Sequence, residues 1–342
     1  MQACSAPVCR TIPYNQGMTS RTRWPLLLTI IATLALAAVG AGCGGDSGGG
    51  SSEAEDVLKK AFAQEVDSAD LKIDVSADLE GVQQLDGPLS LTIEGPYKSQ
   101  GKKKLPLFDW DIKVQGAGQS FAGGLVVTAD NAFVEFQGTN YEVGTELFQR
   151  FATQIEQQNT QGPQSLKALG VDPVAWLNEP EVKDGQEIGG DPTQVVTGDV
   201  DIKRVVQDFF DLLQSPAVKK QLEAQGQAAP EIKKPTDEEL KKVEDAIENL
   251  RFEANVDGDD VLRRVFLDAE FKVPEGADAG SLQGGKVSFE FVLNDVGNDP
   301  QIKAPTGARP LSELTQRFGL QGLGGGGAPG TPGLPGAPGT TP

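Results

Sequence analysis

The chain has 342 residues, with 30 Lys and Arg against 49 Asp and Glu, a formal net charge of −19, three cysteines and no histidine. Without His, the commonest general base and the commonest zinc ligand are missing, so Ser-His-Asp and Cys-His catalytic groupings and His-Cys metal sites are excluded. A surface this acidic also argues against nucleic acid as a partner.

Arg21 and Arg23 precede an apolar run from Pro25 to Val39 that ends in small residues, the order of a secretory signal peptide over residues 1–42. The run is shorter than the roughly 20 apolar residues a membrane-spanning helix needs, so a permanent transmembrane anchor is the weaker reading. Met18 offers an alternative start that would leave residues 1–17 untranslated. The stretch Val39-Gly40-Ala41-Gly42-Cys43 resembles a lipobox, where the Cys thiol is lipidated and becomes the first residue after cleavage; Gly40 departs from the Leu or Val usual at its place. Residues 43–52 are then a lipidated Cys and a Gly/Ser tether that holds a domain off the bilayer. Cys4 and Cys9 lie upstream of the cut, so the mature domain forms no internal disulfide and relies on burial alone. Residues 53–320 are long enough for one sizeable core.

Ser52 and Glu55 are spaced as a capping box ahead of Val57, Leu58, Ala61 and Phe62, which predicts a first helix ending near Val66. Period-two alternation follows: Leu71, Ile73, Val75, Ala77 and Leu79; then Leu89, Leu91 and Ile93; then Phe108, Trp110, Ile112 and Val114. With strands around 124–128 and 132–143, this makes a meander of about five. The period then changes to helical at Leu147, Phe148, Phe151 and Ile155, at Ile202, Val205, Val206, Phe209, Leu212 and Leu213, and at Leu240, Val243, Ile247 and Leu250, the last behind a Thr236/Glu239 capping box. Alternation returns at 252–256, 265–273 and 287–293, with Asp257-Gly258 marking a hairpin. Strands, helices and strands without a βαβ rhythm predict an α+β fold: one curved antiparallel sheet, a half-barrel, with helices packed in its concave apolar face. Residues 321–342 read as a disordered, polyproline-like Gly/Pro tail.

The carboxylates fall mostly on the polar phase of strands and helices, which favours solvated faces over a catalytic pair. Asp257-Gly258-Asp259-Asp260 lacks the spaced acids of a calcium loop and reads as a turn. Gly116, Gly118, Gly123 and Gly124 have no phosphate-loop context and read as turn and bulge glycines. No cofactor and no metal site is expected. Lys98, Lys102, Lys103 and Lys104 fall within one loop of an acidic domain, either as a solvated tip, the favoured reading, or as a contact with anionic head groups.

The stretch Glu181-Val182-Lys183-Asp184-Gly185-Gln186-Glu187-Ile188-Gly189-Gly190, followed by Val195-Val196-Thr197-Gly198-Asp199-Val200-Asp201 and by the closing Asn298-Asp299-Pro300-Gln301-Ile302-Lys303-Ala304-Pro305, resembles the LppX/LprAFG lipoprotein family. The resemblance covers roughly residues 43–315 and implies a LolA-like half-barrel with a hydrophobic cavity for acyl chains. The protein would then be a non-enzymatic lipoprotein of the cell envelope, anchored to the outer side of the cytoplasmic membrane, that carries or presents a lipid or glycolipid. A membrane transporter is a further candidate partner. On this reading Leu91, Ile93, Trp110, Ile112, Val114, Phe289 and Phe291 on the sheet line the cavity, and Phe209, Leu212 and Leu213 on the strongest helix close it. The acidic segment 215–239 and the Gly/Pro tail depart from the family pattern. The rival reading is a structural or regulatory envelope module with a filled core, acting through protein contacts.

Overall fold

The computed structural model describes residues 52–82, 87–101, 104–161, 172–215, 234, 236–274 and 280–317. The leader, Cys43, the tether, Lys102, Lys103, most of the acidic segment and the Gly/Pro tail lie outside these residues, as do the side chains of Phe209, Leu212 and Leu213.

Helix α1 (Glu53–Ala63) begins where the Ser52 hydroxyl accepts a hydrogen bond from the Glu55 amide, with Glu53, Glu55 and Asp56 in the first turn favouring its N-terminal dipole. It stops three residues before the expected Val66. Six strands follow: β1 (Ser68–Glu80), β2 (Leu89–Lys98), β3 (Leu107–Gly116), β4 (Gln119–Val127), β5 (Ala132–Phe136) and β6 (Thr139–Glu142). The expected fifth strand is in fact a hairpin, because Gln137 and Gly138 both take positive φ and turn the chain within two residues. Helix α2 (Thr145–Gln161) and a 3-10 turn (Pro173–Trp176) lead to β7 (Leu177–Asp184) and β8 (Thr193–Val200). Then come α3 (Ile202–Gln214), α4 (Asp237–Ala246), β9 (Ile247–Asp257), β10 (Leu262–Lys272), β11 (Gly284–Asn294), β12 (Arg309–Pro310) and α5 (Leu311–Arg317).

Two expectations need correction. The helical spacing of Leu240, Val243, Ile247 and Leu250 overruns the helix: α4 ends at Ala246, Ile247 is already extended, and Leu250 pairs with Ala269 in the sheet. Leu250 also alternates with Phe252 and Ala254, and that phase wins because it gives each residue a place on the sheet as well as backbone partners. Gly123 and Gly124 are not bulge glycines, since the β4 register runs without a shift through both.

The strands form a single open sheet in the order β12-β6-β5-β4-β3-β2-β1-β11-β10-β9-β8-β7. All pairings are antiparallel except the short parallel contact of β12 with β6. The α+β expectation holds: one antiparallel sheet with helices packed against it. One face is apolar and carries the core, where Ala54, Leu58 and Ala61 of α1 meet Leu71, Ile73, Val196, Ala254, Val265, Phe289, Phe291 and Leu293. A smaller core lies under α2, where Phe148 packs with Phe108, Val127 and Ala132. The other face carries charge pairs such as Lys113 with Glu94 at 2.7 Å and Arg264 with Glu290 at 2.6 Å. There Arg251 and Arg264 also lie over the Phe266 ring, each at 4.7 Å.

Candidate functional site: the apolar face of the sheet

Residues directly opposite one another in neighbouring strands share a face, so the register lays the apolar side chains out in rows. One row runs Val196, Ala254, Val265, Phe291, Ile73, Ile93, Ile112, Gly123 and Phe136 across eight pairings. The next runs Phe252, Leu267, Phe289, Val75, Leu91, Val114 and Phe121. In the second row cover is greatest in the middle, at Phe289, and is lost toward β4, while Phe252 and Leu267 at its other end are half-buried. Val196 and Ala254 are fully buried, and Phe291 and Phe289 are 4 % and 6 % exposed beneath the α1 side of the molecule. Ile93, Leu91 and Ile112 are half-buried, and at the far end Val114 and Phe121 are each 42 % exposed.

The expected cavity residues therefore divide into two groups. Phe289 and Phe291 are buried in the core beneath α1. Leu91, Ile93, Trp110, Ile112 and Val114 stand together on β2 and β3, on the part of the face that becomes progressively open. Phe121 belongs with them and was not among the expected residues; it sits opposite Val114, and its place in the alternation was masked by the glycine pair that follows it. Its ring lies over Gly123 and tilts toward Phe136 at a centroid distance of 5.5 Å. A side chain at Gly123 would meet both that ring and the Glu135 carbonyl, so glycine there lets the aromatic lie against the sheet.

Trp110 is at the junction of the covered and open regions and packs against both cores. Its ring stacks on Phe108 at 4.0 Å with 19° between the planes. Its indole Nε1 is buried and has no hydrogen-bond partner among the described residues. Such an unmet donor costs about 1–3 kcal/mol. The other described tryptophan differs: the Trp176 indole donates to Asp208 at 2.9 Å, and Arg204 faces the same carboxylate at 3.1 Å. On the opposite face beside Trp110, burial and then the neighbouring Asp111 push the Asp109 carboxyl above its usual range.

Of the four lysines, Lys98 and Lys104 are among the described residues. Lys98 ends β2 and pairs with Asp299, so it ties the strand to the Asn298–Pro305 stretch, where the Ser68 hydroxyl also donates to the Asn298 carbonyl. Lys104 is exposed in the loop.

The stretch 181–201 forms the hairpin of β7 and β8, strands that the alternation had not revealed. Its Gly189, at φ +61°, packs against Arg263, which is only 3 % exposed and was also missed. The Arg263 guanidinium pairs with Asp257 at 3.1 Å and Asp191 at 2.8 Å and donates through Nε to the Leu293 carbonyl at 3.0 Å. Nearby, buried Asn255 donates to Thr193 at 2.9 Å. These contacts link the β7–β8 hairpin to β9, β10 and β11, and the Asp257 turn is closed by its own side chain, which accepts from the Asp259 and Val261 amides.

At the sheet edge, Tyr141, Arg309, Glu313, Gln316 and Arg317 line a recess of about 360 Å³. None of the expected lipid-cavity residues belongs to it. No helix among the described residues is long and apolar enough to cross a membrane.

No family model matches the sequence, and no curated protein matches it. Among solved structures, the chain is similar to lipoprotein LppX of Mycobacterium tuberculosis, at 9 % identity and a TM-score of 0.34 over 73 % of this chain and 98 % of that one. It is also similar to LprF of Mycobacterium bovis, at 15 % identity and a TM-score of 0.36 over 76 % and 100 % of the two chains. The Pseudomonas aeruginosa MucA/MucB complex follows at 13 % identity and 0.27 over 74 % and 62 %. The strand order and register of this chain themselves display an open antiparallel sheet with helices packed against it.

Proposed function

We propose that this chain is a cell-envelope lipoprotein, attached to the outer side of the cytoplasmic membrane through Cys43, that holds a lipid or glycolipid against the open part of its apolar face and carries or presents it without covalent chemistry. The observation that carries the reading is the fall in cover along the second row, from buried Phe289 through half-buried Val75 and Leu91 to Val114 and Phe121 at 42 % exposure. Contiguous apolar surface of this kind, continuous with the core, marks a place where something else is meant to lie. Each acyl methylene buried there contributes about 0.8 kcal/mol, which extracts a chain from the bilayer with little selectivity for its length. The apolar leader ending at Cys43 and the Gly/Ser tether behind it supply the anchor.

The second reading, a filled-core module that acts through protein contacts, draws support from the packed half of the face under α1. Native mass spectrometry with lipid extraction on the chain purified from membranes separates the two. Bound lipid near unit stoichiometry is the expected result, and an apo mass from membrane-exposed material would overturn the carrier reading. In parallel, Cys43→Ala should release the chain into the aqueous fraction; retention on the membrane would remove the anchor.

A further inference from the structure

We propose that Trp110 is the polar anchor of this site, donating its indole N–H to the acyl carbonyl of an ester- or amide-linked lipid whose tail runs down β3 toward Val114 and Phe121. The inference rests on the lipid-binding reading above and narrows its ligand to one carrying a neutral acceptor at the head of an acyl chain.

Three observations meet at this residue. The first is the buried, unpartnered Nε1 among the described residues, in a protein whose Trp176 finds a carboxylate for the same group. Indole is a donor only, so just an acceptor can satisfy it. A phenylalanine would keep a ring on Phe108 without bringing an unmet donor, so the stack by itself does not call for an indole N–H here.

The second is position. Trp110, Ile112 and Val114 follow one another on the same face of β3, going from packed to 42 % exposed. Four residues of strand span roughly 13 Å, so a carbonyl held at Trp110 leaves its chain lying along the apolar surface that is open.

The third is charge. The residues flanking Trp110 on its own face are apolar: Leu125 lies opposite on β4, and the Gly95 position lies opposite on β2 between Glu94–Asp111 and Tyr97–Phe108 pairings. The charged neighbours Asp109 and Asp111 are acidic and point to the other face. The described sheet neighbours on that face thus offer an anionic head group no cation, whereas an uncharged carbonyl meets a single donor in an apolar setting.

The test compares dioleoylglycerol with its dioleyl ether analogue, which has the same chains but no carbonyl, by competition in native mass spectrometry, together with the indole ¹H–¹⁵N signals of the isotopically labelled chain. Wild type should prefer the ester about tenfold, and the ester alone should move the indole signal that disappears in Trp110→Phe. The variant should bind ester and ether alike, at the wild-type ether affinity. Equal binding of both lipids by wild type, an unmoved Trp110 signal, or equal losses for both lipids in Trp110→Phe would each overturn the anchor while leaving lipid binding intact. Failure of wild type to bind either lipid would overturn the carrier reading and the anchor together. The indole signal is read on wild type, so the test stands even if the variant does not fold.

Discussion

Changing Phe121 to Ser separates a ligand surface from a core. An aromatic side chain presents roughly 150–250 Å², and with Phe121 42 % exposed, about 80 Å² of ring is left for a ligand to cover. At about 25 cal/mol per Å² that area is worth roughly 2 kcal/mol of binding, close to thirtyfold in affinity. The same substitution should cost less in folding than removal of a core ring, because the Phe121 ring is covered only in part, by Gly123 and Phe136. Phe291→Ala is the matching control: its ring is 4 % exposed within the α1 core, and removing it should cost about 3–5 kcal/mol. Lipid competition by native mass spectrometry reads the first effect, and urea unfolding midpoints read the second. The reasoning is refuted if Phe121→Ser lowers the midpoint as far as Phe291→Ala does, or if it leaves lipid affinity unchanged.

Arg263→Met should destabilise the fold by about 3–5 kcal/mol in urea, because it leaves the Asp257 carboxylate, 8 % exposed, without its charge partner; a loss under 1 kcal/mol would show that the network is dispensable. Asp70 behaves in the opposite sense to most paired carboxylates. Burial and then the facing Asp295 raise its pKa, so the folded state holds that proton more tightly than the unfolded chain, and the penalty is present at neutral pH and relieved as pH falls through the folded-state value. Asp70→Asn should therefore raise the urea midpoint at pH 7, with the gain over wild type shrinking toward pH 4. A gain that grows on acidification would reverse the assignment.

The central strands were legible in the sequence because one face is wet and the other covered: Leu71, Ile73 and Val75 alternate with Lys72, Asp74 and Ser76, and the register places them as read. The edge was not. β7 carries Asn178, Glu179 and Pro180 in a segment with a register shift, and β8 has Val195 and Val196 side by side, so neither offers a clean period of two. The α4–β9 junction was misplaced because no Gly or Pro separates the elements and Ile247 and Leu250 fit both periods. Of the candidate site, the residues on β2 and β3 could be read from phase alone, but how far each is covered depends on helices whose docking no local pattern encodes. Arg263 left a signal that went unread: it occupies the apolar phase of β10 two residues before Val265, where an arginine is tolerated only with partners that come from elsewhere in the chain.

The seam between β1 and β11 sets the order in which this protein can come into being. β1 is the first strand and sits in the middle of the sheet, with β2 on one side and β11 on the other, and Ile73 finds Phe291 across more than two hundred residues. The hairpins from β2 to β6 can assemble as they emerge and take α2 as cover, but the α1 core beside them lacks Phe289, Phe291 and Leu293 until the chain near residue 294 arrives. A chain released from one end must therefore wait, with its α1 core incomplete, for nearly its whole domain. Truncation anywhere before β11 removes Phe289, Phe291 and Leu293 from that core and leaves one edge of β1 unpaired.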